Sequence, residues 1–505
     1  MKYFFTAFFL SLQALSLSAQ TAGDAFFSEW TVHEIRFQFS QLGYWDSLKA
    51  NYILDEYMRC DVQVDGVSLP NSGVKFKGNS SYNNPSNKKP FRIDLAEYVD
   101  NQSFDGLKKL VLNNAFKDPT FLREKLMLDF MNQHGINVPR ATFARLYLNG
   151  KYWGLYSVVE DVNKTFLEDR FGNKDGNLFK GDPKGTLVWK GTQQNLYESD
   201  YELKTNETEN NWSDLIGLLN ALNNSNNTQL ADSLGKYMNL ESWFSYWAAH
   251  NMFANLDSYI GSGHNYFLYH NSASNKFEWI TWDVNEAFGN FQMGMPLANI
   301  KTLPYGFIPQ PGTQRPIMNR LWTNPALKQQ YSDRLCDLLA DFNNQKMDAR
   351  IDSLANLIRT HVYADSLKFF TNNQFEQNLS QDLMLPNVPG TSGIAGLKSF
   401  ISARNTSLKQ QLSAVGCNTS NSAYITNNQS ITIYPNPNNG HFWVSSPGQE
   451  IRSISLRSLD GKVLLNQKID KQFVFEMNQF TAPPGMYLVT IETENGWISS
   501  KLCLK

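Results

Sequence analysis

Apolar and polar positions change their period along this chain of 505 residues. From residue 27 to 115, short alternating apolar runs are separated by turn residues, a strand-rich pattern. Asp118-Pro119 then opens a predicted helix, with Asp118 as N-cap and Pro119 at the first helical position. Leu122, Leu126 and Phe130 share one face of it, and Gly135 closes it. A strand pair joined at Asn149-Gly150 follows, because that dipeptide suits a two-residue hairpin turn. Helical periodicity dominates afterwards, in an aromatic-rich segment at 239–256 and again at 325–341, 345–361 and 395–414. Residues 277–282 read as a strand, with the polar turn at 271–275 marking a hairpin before it.

The two ends follow different patterns. Met1-Lys2, an apolar run over residues 3–17, and small Ser16, Ser18 and Ala19 have the layout of a secretory signal peptide, residues 1–19. The run is interrupted by Gln13 and is shorter than the ~20 residues that span a bilayer, and no later stretch reads as transmembrane. A large domain is expected over 20–415 and a polar, small-residue linker over 416–429. Residues 430–505 alternate in about seven short runs with turns at Asn438-Asn439-Gly440 and Asp460-Gly461, which predicts a small all-β sandwich.

Composition narrows the functional classes. With 42% hydrophobic and 18% charged residues and a net charge of −2, the chain has no bulk charge with which to bind nucleic acid. Cys60, Cys336, Cys417 and Cys503 form no C-x-x-C unit, which argues against a zinc or redox motif. Export would permit disulfides, yet the wide spacing leaves isolated thiols as open as pairing.

Candidate chemistry gathers around two acids. Asp257 leaves the helix that packs through Trp243, Phe244, Trp247 and Phe253, and enters a loop containing Gly261 and Gly263. Asp283 ends the strand at 277–282. The spacing between them fits a strand, a turn and a return strand, which would carry both to one end of a hairpin. With Asn265 they match the minimum for phosphoryl transfer: an acid at the attacking hydroxyl and oxygen ligands for a divalent ion on the phosphates. Each also has an ordinary alternative, Asp257 and Asp283 as caps or turn acids and Asn265 as a strand-edge residue. His134, His250, His264 and His270 show no metal-ligand spacing and read as structural.

Further ordered segments accompany the acids: Lys77-Gly-Asn-Ser-Ser81, Lys88-Lys-Pro-Phe-Arg-Ile-Asp-Leu95, Phe121-Leu-Arg-Glu-Lys-Leu126 and Leu148-Asn-Gly-Lys-Tyr-Trp-Gly-Leu-Tyr-Ser-Val-Val-Glu160. Together with Asn255 to Tyr269 and Trp279 to Gly289, this series resembles the CotH kinase family, a divergent relative of the protein kinases. The resemblance implies an α+β fold with a divergent bilobal protein-kinase-like domain, in which Asp257 is catalytic and Asp283 and Asn265 bind Mg²⁺ or Mn²⁺. It implies ATP as phosphoryl donor, with Lys88 favoured over Lys89 on its phosphates. Glu124 would partner that lysine, Arg123 competes for the role, and both also read as surface charges. Glu160 would stand at an adenine-binding hinge or begin the following helix, and residues 77–87 would cover the phosphates. No G-x-G-x-x-G and no His-Arg ahead of Asp257 are present, so ordinary kinases supply analogy alone. Family members often carry a second acid where Asn285 stands; Glu286 is either a substitute ligand or a turn acid.

The tail resembles the type A sorting domain of the type IX secretion system through Tyr434-Pro-Asn-Pro437, Gly440-His-Phe442, Gly461-Lys-Val-Leu464, Gly485-Met-Tyr-Leu-Val489 and Lys501-Leu-Cys-Leu-Lys505. It implies export by signal peptide and then by the type IX machinery, to the medium or the cell surface. Asp-Ser-Leu triplets at Asp46, Asp232, Asp352 and Asp365 resemble an O-glycosylation sequon of exported bacterial proteins, and helix capping explains them as well. The expected function is a secreted kinase acting on hydroxyls of exported or surface proteins. Its rivals are a non-catalytic surface or adhesion module for protein or glycan, and a metal-dependent hydrolase.

Overall fold

A computed structural model describes residues 21–28, 30–384, 393–417, 432–446, 450–458, 463–493 and 496–504. The expected signal peptide and nearly all of the expected linker lie outside them. The chain divides into two compact units, Met1–Cys417 and Asn418–Lys505.

The first unit begins with β1 (Val32–Gln38), α1 (Tyr44–Leu54), β2 (Met58–Val64), β3 (Val67–Phe76), the short α2 (Ser80–Asn83), β4 (Phe91–Asp94) and β5 (Lys109–Asn113). After these come α3 (Arg123–Gln133), β6 (Ala141–Leu148) and β7 (Lys151–Glu160). The strands close into a barrel in the order β1-β2-β3-β4-β5-β7-β6, sealed by the parallel pairing of β1 with β6. Strand alternation sorts the side chains. Val74 and Phe76 of β3, Phe91 and Ile93 of β4, and Leu110 and Leu112 of β5 fill the interior. Residues between them on the same strands face outward. The β6–β7 turn takes Asn149 at φ 45° and Gly150 at φ 79°, the positive-φ pair expected of that dipeptide.

The helix expected from Pro119 starts four residues later, at Arg123, and Leu122 caps it without a side-chain bond. Asp118 is occupied in a turn, where its carboxylate accepts from Thr120 N at 2.9 Å and Arg123 N at 3.0 Å. Leu126, Met127, Phe130 and Met131 of α3 pack into the core of the second half of the unit, not into the barrel.

That second half runs through α4 (Lys164–Phe171), β8 (Leu178–Lys180), β9 (Glu202–Leu203), α5 (Ser213–Asn224), α6 (Leu230–Gly235) and α7 (Leu240–Met252). The hairpin β10 (Tyr266–Asn271) and β11 (Lys276–Thr281) follows, then α8 (Leu297–Lys301), α9 (Pro316–Thr323), α10 (Pro325–Leu339), α11 (Asn344–Ala364), α12 (Asn372–Ser380) and α13 (Leu397–Ser413). A four-stranded sheet in the order β11-β10-β8-β9 lies among these helices. The helices expected at 325–341, 345–361 and 395–414 correspond to α10, α11 and α13. Cys336 and Cys417 form a disulfide with Cα atoms 5.9 Å apart across 81 residues, whereas Cys60 and Cys503 are free. Sequence spacing left that pairing open because the fold alone brings α10 and the end of α13 together.

The described residues of the second unit form strands and no helix. A sheet of β12 (Thr432–Tyr434), β13 (Phe442–Ser445) and β16 (Val474–Met477) shares one core with a sheet of β15 (Val463–Gln472), β14 (Ile451–Ser458), β17 (Gly485–Thr493) and β18 (Gly496–Leu504). Phe442 and Val444 meet Ile454, Leu456, Val489 and Ile491 in that core, so the inward residues of both sheets are apolar.

Candidate active site

A cleft of about 1380 Å³ opens between the barrel and the helical half, lined by Lys77 to Ser81 on one side and by Asp257, His264, Asn265 and Asp283 on the other. The acidic side is built locally. The Asn239 side chain caps α7 by accepting from Glu241 N at 3.1 Å, and Trp243 and Trp247 are wholly buried along it. Past Met252 the chain turns through Ala254 at φ 43° into the loop of Asp257. β10 and β11 pair with Tyr266 opposite Thr281, so this loop and Asp283 emerge at the same end of the hairpin.

Two arginines that sequence reading passed over hold this loop and the end of α7 that leads into it. Arg315, 6% exposed, donates from Nε to the Tyr259 carbonyl at 2.7 Å and from a terminal nitrogen to the Gly261 carbonyl. A side chain at Gly263, where φ is 90°, would run into that guanidinium. Arg404, fully buried, binds the Asn251 carbonyl at 3.0 Å and the Asn251 side-chain oxygen at 2.7 Å, at the negative end of α7. No local pattern marks either residue, because these partners lie far away in the chain.

At the centre, His264 Nε2 lies 2.9 Å from Asp257 Oδ1, and Ser262 Oγ lies 3.3 Å from the same oxygen. The expectation that His264 is merely structural needs correcting: it lines the cleft and touches Asp257, and against the lowering effect of burial Asp257 holds it above the usual imidazole range. Among the described residues, the second Asp257 oxygen accepts no hydrogen bond. Asn265 donates from Nδ2 to the Asp257 carbonyl at 2.8 Å, which leaves its Oδ1 free for another partner. Among the described residues the Asp283 carboxylate joins no ion pair and accepts no hydrogen bond. Burial, with Asp257 nearby, raises its pKa against the lowering pull of Lys77. Asn265 and Asp283 both adopt left-handed backbone, φ 61° and 53°, a costly conformation that clusters at functional sites.

The cationic side differs from the expectation. Lys88 and Lys89 do not line the cleft. The Lys88 ammonium is buried against the Asp365 carboxylate, and that of Lys89 binds the carbonyls of Tyr82 and Asn84. The reason is register: β3 and β4 pair Phe76 with Phe91, which places Lys77 beside Pro90 and leaves Lys88 and Lys89 in the connection from α2. Of the several lysines that line the cleft, Lys77 is the one joined to Asn113 and coupled to Asp283. It follows Phe76 on the outward alternation of β3, and its Nζ donates to Asn113 Oδ1 at 2.9 Å. A lysine closing an apolar strand just ahead of Gly78 was the available signal.

Glu124, on the first turn of α3, accepts from Asn113 Nδ2 at 3.0 and 2.9 Å. Burial, reinforced by Asp283, pushes its pKa up to about 7. Burial lowers the pKa of Lys77, and Asp283 and Glu124 oppose that shift. Arg123, the competing candidate, is fully buried away from the cleft and binds Asp118, Asn378 and the Ala395 carbonyl. Glu160 ends β7, and its carboxylate is taken up by Arg140 at 2.6 Å and Arg170 at 2.9 Å, so it is not in the cleft lining. The residues after it, Asp161 to Thr165, are. Glu286 is buried, not an exposed turn acid, and pairs with Lys117 at 2.8 Å.

Residues 74–382 match the family model described as CotH kinase protein. The chain belongs to this family. Residues 432–505 match the secretion system C-terminal sorting domain, which directs a protein to secretion or the cell surface through the type IX machinery. Among the described residues no helix is long and apolar enough to cross a membrane. Similar proteins include the inner spore coat protein H of Bacillus subtilis, 27% identical over 56% of this chain and 75% of that protein. Invasins CotH2 and CotH3 of Rhizopus delemar are each 23% identical, over 59% and 58% of this chain and 54% and 52% of their own lengths. The chain thus spans about half the length of those fungal relatives. Among solved structures, the twitchin kinase region of C. elegans aligns at 10% identity over 90% of this chain and 74% of that one. The TM-score of that alignment is 0.20.

Proposed function

We propose that the protein is a secreted atypical protein kinase with a divergent bilobal kinase-like domain, which transfers the γ-phosphoryl group of ATP to hydroxyls of exported or surface proteins. One observation carries this reading: a lysine tied to a helix glutamate faces two aspartates and an asparagine across a single cleft. Asp257 would accept the proton of the attacking hydroxyl through its unengaged oxygen, while His264 holds the other. Lys77 would neutralise phosphate charge. Asp283 and Asn265 fit a divalent ion, since they offer a carboxylate with no internal partner and a free amide oxygen, and Mg²⁺ needs few protein ligands beside substrate phosphates. Such an ion would supply charge neutralisation on the β- and γ-phosphates. Asn285 adds no charge, and that of Glu286 is met by Lys117.

The test is transfer of labelled γ-phosphate from ATP, with Mg²⁺ or Mn²⁺, to a general protein acceptor and to co-secreted proteins. Transfer by the wild type that disappears in Asp257→Ala and Asp283→Ala supports the reading; ATP binding or transfer indifferent to both substitutions rejects it. A second reading, a non-catalytic surface module, draws support from the names of the Rhizopus relatives, two of which are invasins. It predicts ligand binding that survives both substitutions.

A further inference from the structure

Lys77 and Glu124 share no direct ion pair; the side chain of Asn113, at the end of β5, stands between them. Its Oδ1 accepts from Lys77 Nζ at 2.9 Å, and its Nδ2 donates to both Glu124 oxygens at 3.0 and 2.9 Å. The amide orientation is dictated by Lys77, because an ammonium only donates. The path is buried, with Asn113 9% and Glu124 4% exposed. Strand alternation explains why an asparagine sits there: Leu110 and Leu112 point into the barrel, whereas Val111 and Asn113 point towards α3.

We propose that Asn113 is a positioning residue, relaying Glu124 to Lys77 through its amide and so fixing the Lys77 ammonium where it meets ATP phosphate. This rests on the kinase reading above. A chain of three hydrogen-bonded groups polarises each member, and its central amide is the one position whose two ends must differ in character. The same chain can be rebuilt in reverse. With Asn113→Asp and Glu124→Gln together, a carboxylate accepts from Lys77 and an amide donates to that carboxylate, at unchanged net charge. Asn113→Asp alone removes the N–H that Glu124 accepts.

The experiment measures KM for ATP, kcat and the thermal stability of nucleotide-free protein for the full chain, N113D, E124Q and N113D/E124Q. Expected is a rise in KM of about tenfold or more in N113D, in line with losing a hydrogen bond to a charged group, and a smaller rise in E124Q. The double variant should return to within about threefold of wild type, the non-additivity that marks a coupled pair. If a single variant does not fold, the double variant carries the test. A folded double variant that binds ATP no better than N113D overturns the relay and leaves the kinase reading standing. A wild type that binds no ATP overturns both.

Discussion

The two walls of the cleft are assembled in different ways. The acidic wall comes from one continuous stretch, where a capped helix, a loop and a hairpin bring Asp257, Asn265 and Asp283 together within 27 residues. The cationic wall draws Lys77, Asn113 and Glu124 from just past β3, from β5 and from α3, and they meet because the barrel closes and α3 packs against its outer face. Chemistry carried by a local hairpin is visible in the order of residues. Chemistry carried by strand register is not, since neighbouring lysines in the sequence end up in unrelated environments.

Substitutions on each wall test that contrast. The largest effect belongs to the acidic wall: Asp257→Asn should lower kcat by ~10²–10⁴, the range of general-base catalysis, with ATP binding retained in a nucleotide titration. Equal loss of binding and turnover would instead assign Asp257 to holding the ligand.

Lys77 and Lys88 should then separate cleanly. Lys88→Met leaves Asp365 buried without its cation and should cost about 3–5 kcal/mol in denaturant unfolding, while the folded fraction keeps its KM for ATP. Lys77→Met should do the reverse, with ATP affinity lost and stability nearly kept. Should Lys88→Met abolish ATP binding in folded protein, the register argument is wrong.

Reducing Cys336–Cys417 should lower the stability of the first unit by about 2–5 kcal/mol, followed by unfolding with and without reductant. A mild reductant that leaves the melting transition unmoved would show that packing of α10 against α13 suffices.

The smallest effect concerns pH. Glu124 titrates near 7 in the fold against about 4.5 when free, so its contribution to stability is complete below about pH 4.5 and is lost as pH rises through 7. Glu124→Gln, which mimics the protonated acid, should therefore flatten that slope and exceed wild-type stability above pH 7 by about 3 kcal/mol. Parallel unfolding curves for the two proteins between pH 5 and 8 would show that Glu124 is not held protonated.

Legibility in the sequence followed the same division. The Asn149-Gly150 turn, the helices α7, α10, α11 and α13, and the hairpin that carries Asp283 were all readable, because cap residues and apolar period act over a few positions. The start of α3 was misplaced because Asp118 caps a turn that reaches Arg123 rather than the helix itself. Glu160 was misread because its partners, Arg140 and Arg170, arrive from β6's approach and from α4. Lys88 was favoured over Lys89, and Lys77 was not considered for the role, because a pair of lysines before a strand resembles a phosphate grip until Asp365, far along the chain, claims the first of them.

By itself, then, the order of amino acids determined family membership, the sorting tail, the elements with strong periodicity, and the acids of the hairpin. Tertiary structure alone decided that Lys77 lines the cleft while Lys88 and Lys89 do not, that Asn113 links Lys77 to Glu124, that His264 touches Asp257, and which cysteines pair. The physical reason is range: propensity and capping act between near neighbours, whereas strand register and burial are set only once distant segments share a core.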